Sequence, residues 1–263
     1  MLVDAHTHLL PERLARAIRD YFKEHIAANF PYPFEAHLAR ERLRTAGVTS
    51  CWSLPYAHRP GMASALNRWM AESFPPEGPM VIPGGTLHPG DDVPRLLDET
   101  LGELRLRVLK LHCAVGAFAA DDPRLDPVWK RVSESGQPVV VHAGRSALGT
   151  ADLVDLVPLE RVAERWPDAR IVVAHCGAPA VAPTLALLRR ARSVHADLTP
   201  VVGTVAPLTR RDVEGLERKL LFGSDVPNTT VTLEATLALV RSWELPSDQE
   251  AAILGGNAEA LLS

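Results

Sequence analysis

Five residues lying far apart in the chain form one chemical set: His6 and His8 in VDAHTHL, His142 in VVVHAG, His175 in VVAHCG and Asp225 in LLFGSDVP. Each stands at the C-terminal end of a short apolar run, where a buried strand would stop. Imidazoles with a carboxylate are the ligands of a catalytic divalent ion, Zn²⁺ first among them. Residues i and i+2 of a strand share a face, so His6 and His8 could clasp one ion. A lone HxH is a weak signal, because strand-end histidines also serve as hydrogen-bonded core residues. The weight rests on the joint arrangement of all five. Water on such an ion ionises near pH ~7, which gives hydroxide at neutral pH.

Something must bring the five together. Eight short apolar runs read as strands, at 2–8, 48–54, 80–88, 107–112, 138–143, 170–175, 193–199 and 219–225. Most are apolar on both faces, as parallel strands covered by helices are. Helical patterns separate them at 11–28, 36–46, 63–74, 93–105, 126–135, 152–166, 180–191 and 209–218, and two more near 231–243 and 247–262 close the chain. Asp92 and Ser247 mark helix starts. Repeating βα units without a long polar linker predict an α/β fold, a single (β/α)₈ TIM barrel over residues 1–263, with 21–37 as an insertion in the first βα loop. Active sites of such barrels form where the strands end, which would gather all five residues at one mouth.

Composition agrees. The 263 residues fit one barrel of about 250 residues. The net charge of −4, with both signs mixed along the chain, gives no support to nucleic-acid or membrane binding. No apolar run reaches the roughly 18 residues of a membrane helix, and no leader pattern is read at the start. Three cysteines without a CxxC argue against a disulfide framework and for a reducing cytoplasm. The expected partner is a small-molecule substrate, and homo-oligomerisation is left open.

With these motifs in place, the chain resembles the amidohydrolase superfamily, in the amidohydrolase-related branch that holds hydrolases and non-oxidative decarboxylases. The resemblance runs from DAHTHL through GTLHPGDD, VLKLH, QPVVVHAG, RIVVAHCGA and VHADLT to LLFGSDVP and ILGGNAEALL, essentially the whole chain. The TatD-like deoxyribonucleases are less similar, since their fourth strand carries a glutamate where this chain reads Val-Leu-Lys-Leu-His. The resemblance implies that His6, His8 and His142 ligate a metal, with Asp225 as ligand and proton acceptor. His175 would polarise substrate or shuttle a proton beside one ion, or bind a second ion with His142.

Lys110 shares strand parity with His112, so both face inward if either does. An ammonium beside a divalent ion is repelled. Three outcomes stand: Lys110 is carboxylated and bridges two ions, it pairs with a substrate carboxylate, or it is a buried charge satisfied by Asp197. One ion is favoured over two. His88, His112, Arg145 after HAG and Asn228 after GSDVP are candidate substrate contacts, each with a structural reading of equal weight. His195 reads as barrel packing, and His25, His37 and His58 have no assigned role. Cys176, next to His175, should point away from it, and Asn257 reads as a helix–loop contact. The first functional expectation is a metal-dependent hydrolase of a small amide, lactone or ester. The second is a non-oxidative decarboxylase, a lyase, of a small unsaturated or aromatic acid. The third is a metal-binding barrel without catalysis.

Overall fold

The computed structural model describes residues 1–26, 29–75, 78, 80–142, 156–199 and 208–263. Strands β1 (Val3–Thr7), β2 (Ser50–Ser53), β3 (Val81–Thr86), β4 (Val108–His112), β5 (Val139–His142), β6 (Ile171–Val173), β7 (Val194–Asp197) and β8 (Leu220–Leu221) pair in sequence order, each parallel to the next. β8 is shorter than the expected 219–225, yet the chain beyond it still closes the barrel. The Ala5 amide donates to Phe222 O at 2.9 Å, the Asp225 amide to His6 O at 2.8 Å and the His8 amide to Val226 O at 2.8 Å. The fold is the single (β/α)₈ barrel read from the sequence.

Strand alternation assigns the faces. Leu109 and Leu111 of β4, Val139 and Val141 of β5, and Ile171 and Val173 of β6 join an outer core with Val128, Trp129, Leu159 and Leu188 of the covering helices. Each such side chain, removed from water, stabilises the fold by roughly 1.5–3 kcal/mol. Val108, Val140 and Val172 instead meet Trp52 and Leu221 in a second, separate cluster. That inner parity is the one that continues upward to Lys110, His112 and His142.

Several helices depart from their expected spans. The 93–105 pattern is α-helical over Val93–Leu97, capped by the Asp92 carboxylate on the Arg95 amide, and then widens into a π-helix over Asp98–Glu103. The wider turn carries the buried Glu99, which takes the Arg68 Nε–H at 2.6 Å and the Ser64 hydroxyl at 2.9 Å. The 209–218 pattern is helical only over Arg210–Val213, and Gly215 follows at φ +76°. At the last helix, Pro246 rather than Ser247 holds the cap position, and 247–262 divides into Ser247–Ala251, a π-turn and Asn257–Leu261. The 152–166 pattern appears as Val157–Arg165, its start lying outside the described residues. The segment read as an insertion belongs to the β1–β2 connection, where the Tyr32 hydroxyl accepts the Leu233 amide at 2.6 Å.

The chain end is bound to the barrel wall. Arg107 Nη2 donates to Leu262 O at 2.7 Å and Arg170 Nη1 to Leu261 O at 2.9 Å. Asn257 Nδ2 donates to Glu217 O and Leu220 O, both at 2.7 Å, as its reading as a helix–loop contact requires. Asn257→Leu strands two buried carbonyls, and a loss of about 1–3 kcal/mol in urea unfolding is expected. An unchanged urea midpoint would refute that role.

Candidate metal centre

His6 near the end of β1 and His8 just beyond it turn to one side, while Asp4 lies across an irregularity in the β1–β2 register and binds Ser224; all three are buried. What matters chemically is which imidazole nitrogen is free. His8 Nδ1 lies 2.6 Å from Leu54 O, and a carbonyl can only accept, so Nδ1 carries the hydrogen. His6 Nδ1 donates in the same way to Asp197 Oδ2 at 2.7 Å. Both rings therefore turn their Nε2 lone pairs toward Asp225, whose Oδ1 is 3.0 Å from His8 Nε2 and 3.7 Å from His6 Nε2. Acceptor faces acceptor at 3.0 Å, an arrangement that needs a cation or a proton between the two. The ligand atoms of His6, His8 and Asp225 all lie within 4.8 Å of one another. Neutral imidazoles held from behind by a carboxylate and a carbonyl are how proteins orient metal ligands. The donor set thus fits a divalent ion.

Asp197 serves two strands at once. Its Oδ2 takes the His6 ring and its Oδ1 takes the His175 amide at 2.8 Å. His175 Nδ1 donates to Thr199 O at 2.5 Å, which turns its Nε2 toward His142 Nδ1 at 3.0 Å. The His142 ring stacks on His112, centroids 3.9 Å apart and 14° between planes. His6, His175 and Asp197 make a second cluster of ligand atoms within 4.8 Å, whereas His142 belongs to neither cluster among the described residues.

One local expectation is corrected. His175 does not end a strand: β6 stops at Val173, and His175, Cys176 and Gly177 follow at φ 57°, 48° and 67°. Left-handed backbone costs a non-glycine residue roughly 1–2 kcal/mol. Cys176 does join the outer core, but by this turn rather than by strand alternation. Gly177 is required here, since an added Cβ would come within 2.1 Å of Thr184 Oγ1. Asp225 is left-handed too, at φ 63°, pinned by its amide on His6 O and by the Asn228 amide on its own carbonyl at 2.7 Å.

Burial sets the electrostatics. It drives His6, His112 and His175 well below the ordinary imidazole value, with neighbouring cationic groups adding to the effect, and so favours neutral ligand nitrogens. It raises the Asp225 carboxyl against the opposing influence of His8 and Lys110, and lifts Asp4 to about 7 although the Ser224 hydroxyl and amide bind its carboxylate. Lys110 is fully buried, and desolvation pulls it down to about 8 against Asp197 and Asp225, which raise it. Its Nζ lies 3.2 Å from His6 Nε2, and among the described residues no carboxylate oxygen comes within 4.0 Å. Asp197 is therefore not its direct ion-pair partner, and Lys110 is shielded from solvent.

The remaining candidates divide. His88 is committed to structure: Nδ1 accepts the Gly90 amide at 3.0 Å and Nε2 faces Gly116 O at 3.1 Å. His112 uses Nδ1 to cap the four-residue helix Cys113–Gly116, unread in the sequence, and keeps its other nitrogen. Asn228 is half-buried beside Asp225, and Arg145 lies outside the described residues. His195 is half-buried, its Nδ1 3.2 Å from Ser193 O, in keeping with barrel packing. Asp4 and Tyr56 escaped the sequence reading. Tyr56 follows β2 directly, and the strand-end rule that found the histidines points to it as well. Its ring meets His8 edge-on at 5.3 Å, and burial with Asp225 nearby raises its phenol.

Two outcomes test this geometry. Asp197→Asn should weaken metal binding by about 10–100-fold in calorimetric titration, because it releases the His6 ring. Asp225→Asn should raise the melting temperature of the metal-free protein, since an amide N–H can donate to His8 Nε2 and asparagine tolerates left-handed backbone. A lowered melting temperature would contradict the acceptor-to-acceptor contact.

Comparison with known proteins agrees with this picture. An uncharacterised TIM-barrel protein of Bordetella bronchiseptica superposes with a TM-score of 0.79 at 21% identity, over 99% of this chain and 98% of that one. A 5-carboxyvanillate decarboxylase of Sphingomonas paucimobilis gives 0.70 at 18%, over 99% and 98%. A 4-oxalomesaconate hydratase of Rhodopseudomonas palustris gives 0.67 at 15%, over 100% and 95%. Among curated proteins none matches the chain. At these identities the structures show a shared fold, and the family assignment comes from the amidohydrolase-2 sequence profile, described as amidohydrolase, which matches residues 3–263. The chain belongs to the amidohydrolase-2 family.

Proposed function

We propose that the protein is a metal-dependent hydrolase acting on an amide, lactone or ester of a small molecule. The observation that carries this reading is Asp225, a carboxylate 3.0 Å from the imidazole lone pair on His8 and 3.7 Å from His6 Nε2, which Lys110 Nζ also approaches at 3.2 Å. His6, His8 and Asp225 would hold the ion, and His175, hydrogen-bonded to His142, packs against the His6 ring beside them. When bound, an ion of the Zn²⁺ type supplies the Lewis acidity that makes water a nucleophile at neutral pH. Asp225 would be the proton acceptor beside the ion, and two backbone hydrogen bonds hold its main chain next to His6. His175, its Nδ1–H on Thr199 O, turns an Nε2 lone pair toward His142, so it would accept a proton or ligate the ion. A single ion is the simpler fit, because both oxygens of Asp197 already accept hydrogen bonds and His142 belongs to neither ligand cluster among the described residues.

Decarboxylation is the second reading. It is favoured by the rings of Tyr56, His112 and His142 around the site, which suit a planar acid, and by the fold shared with a carboxyvanillate decarboxylase. That chemistry needs a proton delivered to carbon, whereas hydrolysis first needs a proton removed from water. Asp225 as an acceptor matches hydrolysis. Zinc-loaded protein assayed on lactones, esters and amides, and on aromatic acids with CO₂ detection, separates the two. Turnover is expected in the first panel, and Asp225→Asn should lower it by about 10²–10⁴-fold. CO₂ release without hydrolysis would replace the first reading by the second.

A further inference from the structure

The 21–37 segment is more than a minimal barrel needs, and among the described residues none of it joins a ligand cluster. Its described residues are nonetheless held firmly. Phe22 and Phe30 stack, their centroids 5.0 Å apart with 10° between planes, and the buried Phe34 meets both edge-on. Tyr32 is bound to the Leu233 amide. The segment thus ends at a fixed place, and there Glu35 and His37 form one wall of a cavity of about 300 Å³. Arg40 extends that wall one turn further along the helix Ala36–Thr45. Trp69 and Phe74, at the end of the helix Ala63–Ser73, form another wall, and Glu12 lies at the rim. No residue of the metal-ligand clusters lines the cavity.

Charge and shape decide what the cavity can take. Glu12 Oε1 accepts Arg16 Nη2 at 2.7 Å, and Glu35 Oε1 lies 3.5 Å from Arg19 Nη1, so each carboxylate has an arginine of its own. Arg40 has no such partner. Among the described residues no carboxylate lies within 4.0 Å of its guanidinium and no hydrogen bond reaches it, and the His37 ring is equally without a hydrogen bond. One positive charge is therefore left over. The rings opposite are rigid: Phe74 belongs to a buried cluster with Ala39, Leu43 and Met70, and Trp69 packs against that cluster. The two meet edge to face at 5.7 Å and 89°. The volume is at the lower end of ligand pockets, about 300–1,000 Å³, and suits a compound of one ring.

We propose that this cavity is a second binding site, separate from the metal centre, for a small aromatic carboxylate. The ring of the ligand packs against Trp69 and Phe74, and its carboxylate pairs with Arg40, with an N–H of His37 as a further donor. A guanidinium takes a carboxylate through two parallel N–H···O bonds, which fixes orientation as well as charge. Aromatic rings pack best offset or edge-on, the arrangement that Trp69 and Phe74 already show with each other. A neutral ring would leave Arg40 unused, and an ammonium would be repelled by it. The inference stands apart from the hydrolase reading, since no metal ligand takes part in it.

The test uses 4-bromobenzoate and the zinc-loaded protein. In solution, the Trp69 indole N–H signal, assigned by its loss in Trp69→Phe, is followed by ¹⁵N NMR as the compound is added, which reads this cavity and not the metal centre. In a crystal soaked with the compound, anomalous scattering locates the bromine. The signal should shift and saturate, and the bromine should lie between Arg40 and the two rings. Arg40 is exposed, so Arg40→Gln spares the fold, and it should weaken binding by about tenfold, the loss of a hydrogen bond between charged groups. The uncharged 4-bromobenzyl alcohol should be weaker by a similar factor. Bromine found only at the metal centre overturns the site, as does an Arg40→Gln protein whose Trp69 signal titrates like that of the wild type. Bromine in the cavity without a shift of the Trp69 signal is binding at crystal concentration only and overturns it too. None of these outcomes touches the hydrolase reading.

Discussion

The two oxygens of Asp197 hold the site together. One fixes the His6 ring so that its free nitrogen faces Asp225, and the other fixes the His175 backbone in a turn it would not adopt unaided. Remove that carboxylate and His6 loses its tautomer while His175 loses the anchor that offsets left-handed strain. β7 is thus the strand on which β1 and β6 are aligned, although no residue of β7 faces Asp225 directly. The thermodynamic demand is severe, since a buried carboxylate must find enough donors to compensate for its lost hydration. Asp197 meets it with the His6 ring and the His175 and Thr199 amides.

Much of this was legible in the sequence for a simple reason. Wherever the chain stays extended, alternation by two carries a side chain's direction without knowledge of its neighbours. Lys110 and His112 face inward from β4 because Leu109 and Leu111 face the helices, and β5 repeats the pattern with His142. His6 and His8 follow the same rule. The reading stops where the chain leaves the strand. His175 points inward through consecutive left-handed residues, and the Asp197 carboxylate that holds them lies 22 residues further on. No local pattern announces that.

Other differences have equally concrete causes. Asp197 as a counter-ion was one of three outcomes open for Lys110; it acts on Lys110 through space while its oxygens accept the His6 ring and the His175 amide. The 93–105 helix carries the right residues for an α-helix throughout. It widens where Glu99 is drawn to Arg68 and Ser64 and Thr100 to Asn67, contacts with another helix that periodicity cannot express. Tyr56 was passed over because a single tyrosine after a strand has no motif around it. Its place is set by His8 and His112, whose rings the fold brings against it from β1 and β4.

The manner of barrel closure bears on how the protein is made. The β1 strand that carries His6 and His8 is synthesised first, yet its outer edge is completed by Phe222, Asp225 and Val226, and the last helix is moored to arginines at 107 and 170. A growing chain on the ribosome therefore carries His6 and His8 through the making of β2 to β8 without the carboxylate that faces them. The ring of strands stays open until about residue 226 has emerged. The candidate ligand cluster is thus complete only when the barrel is.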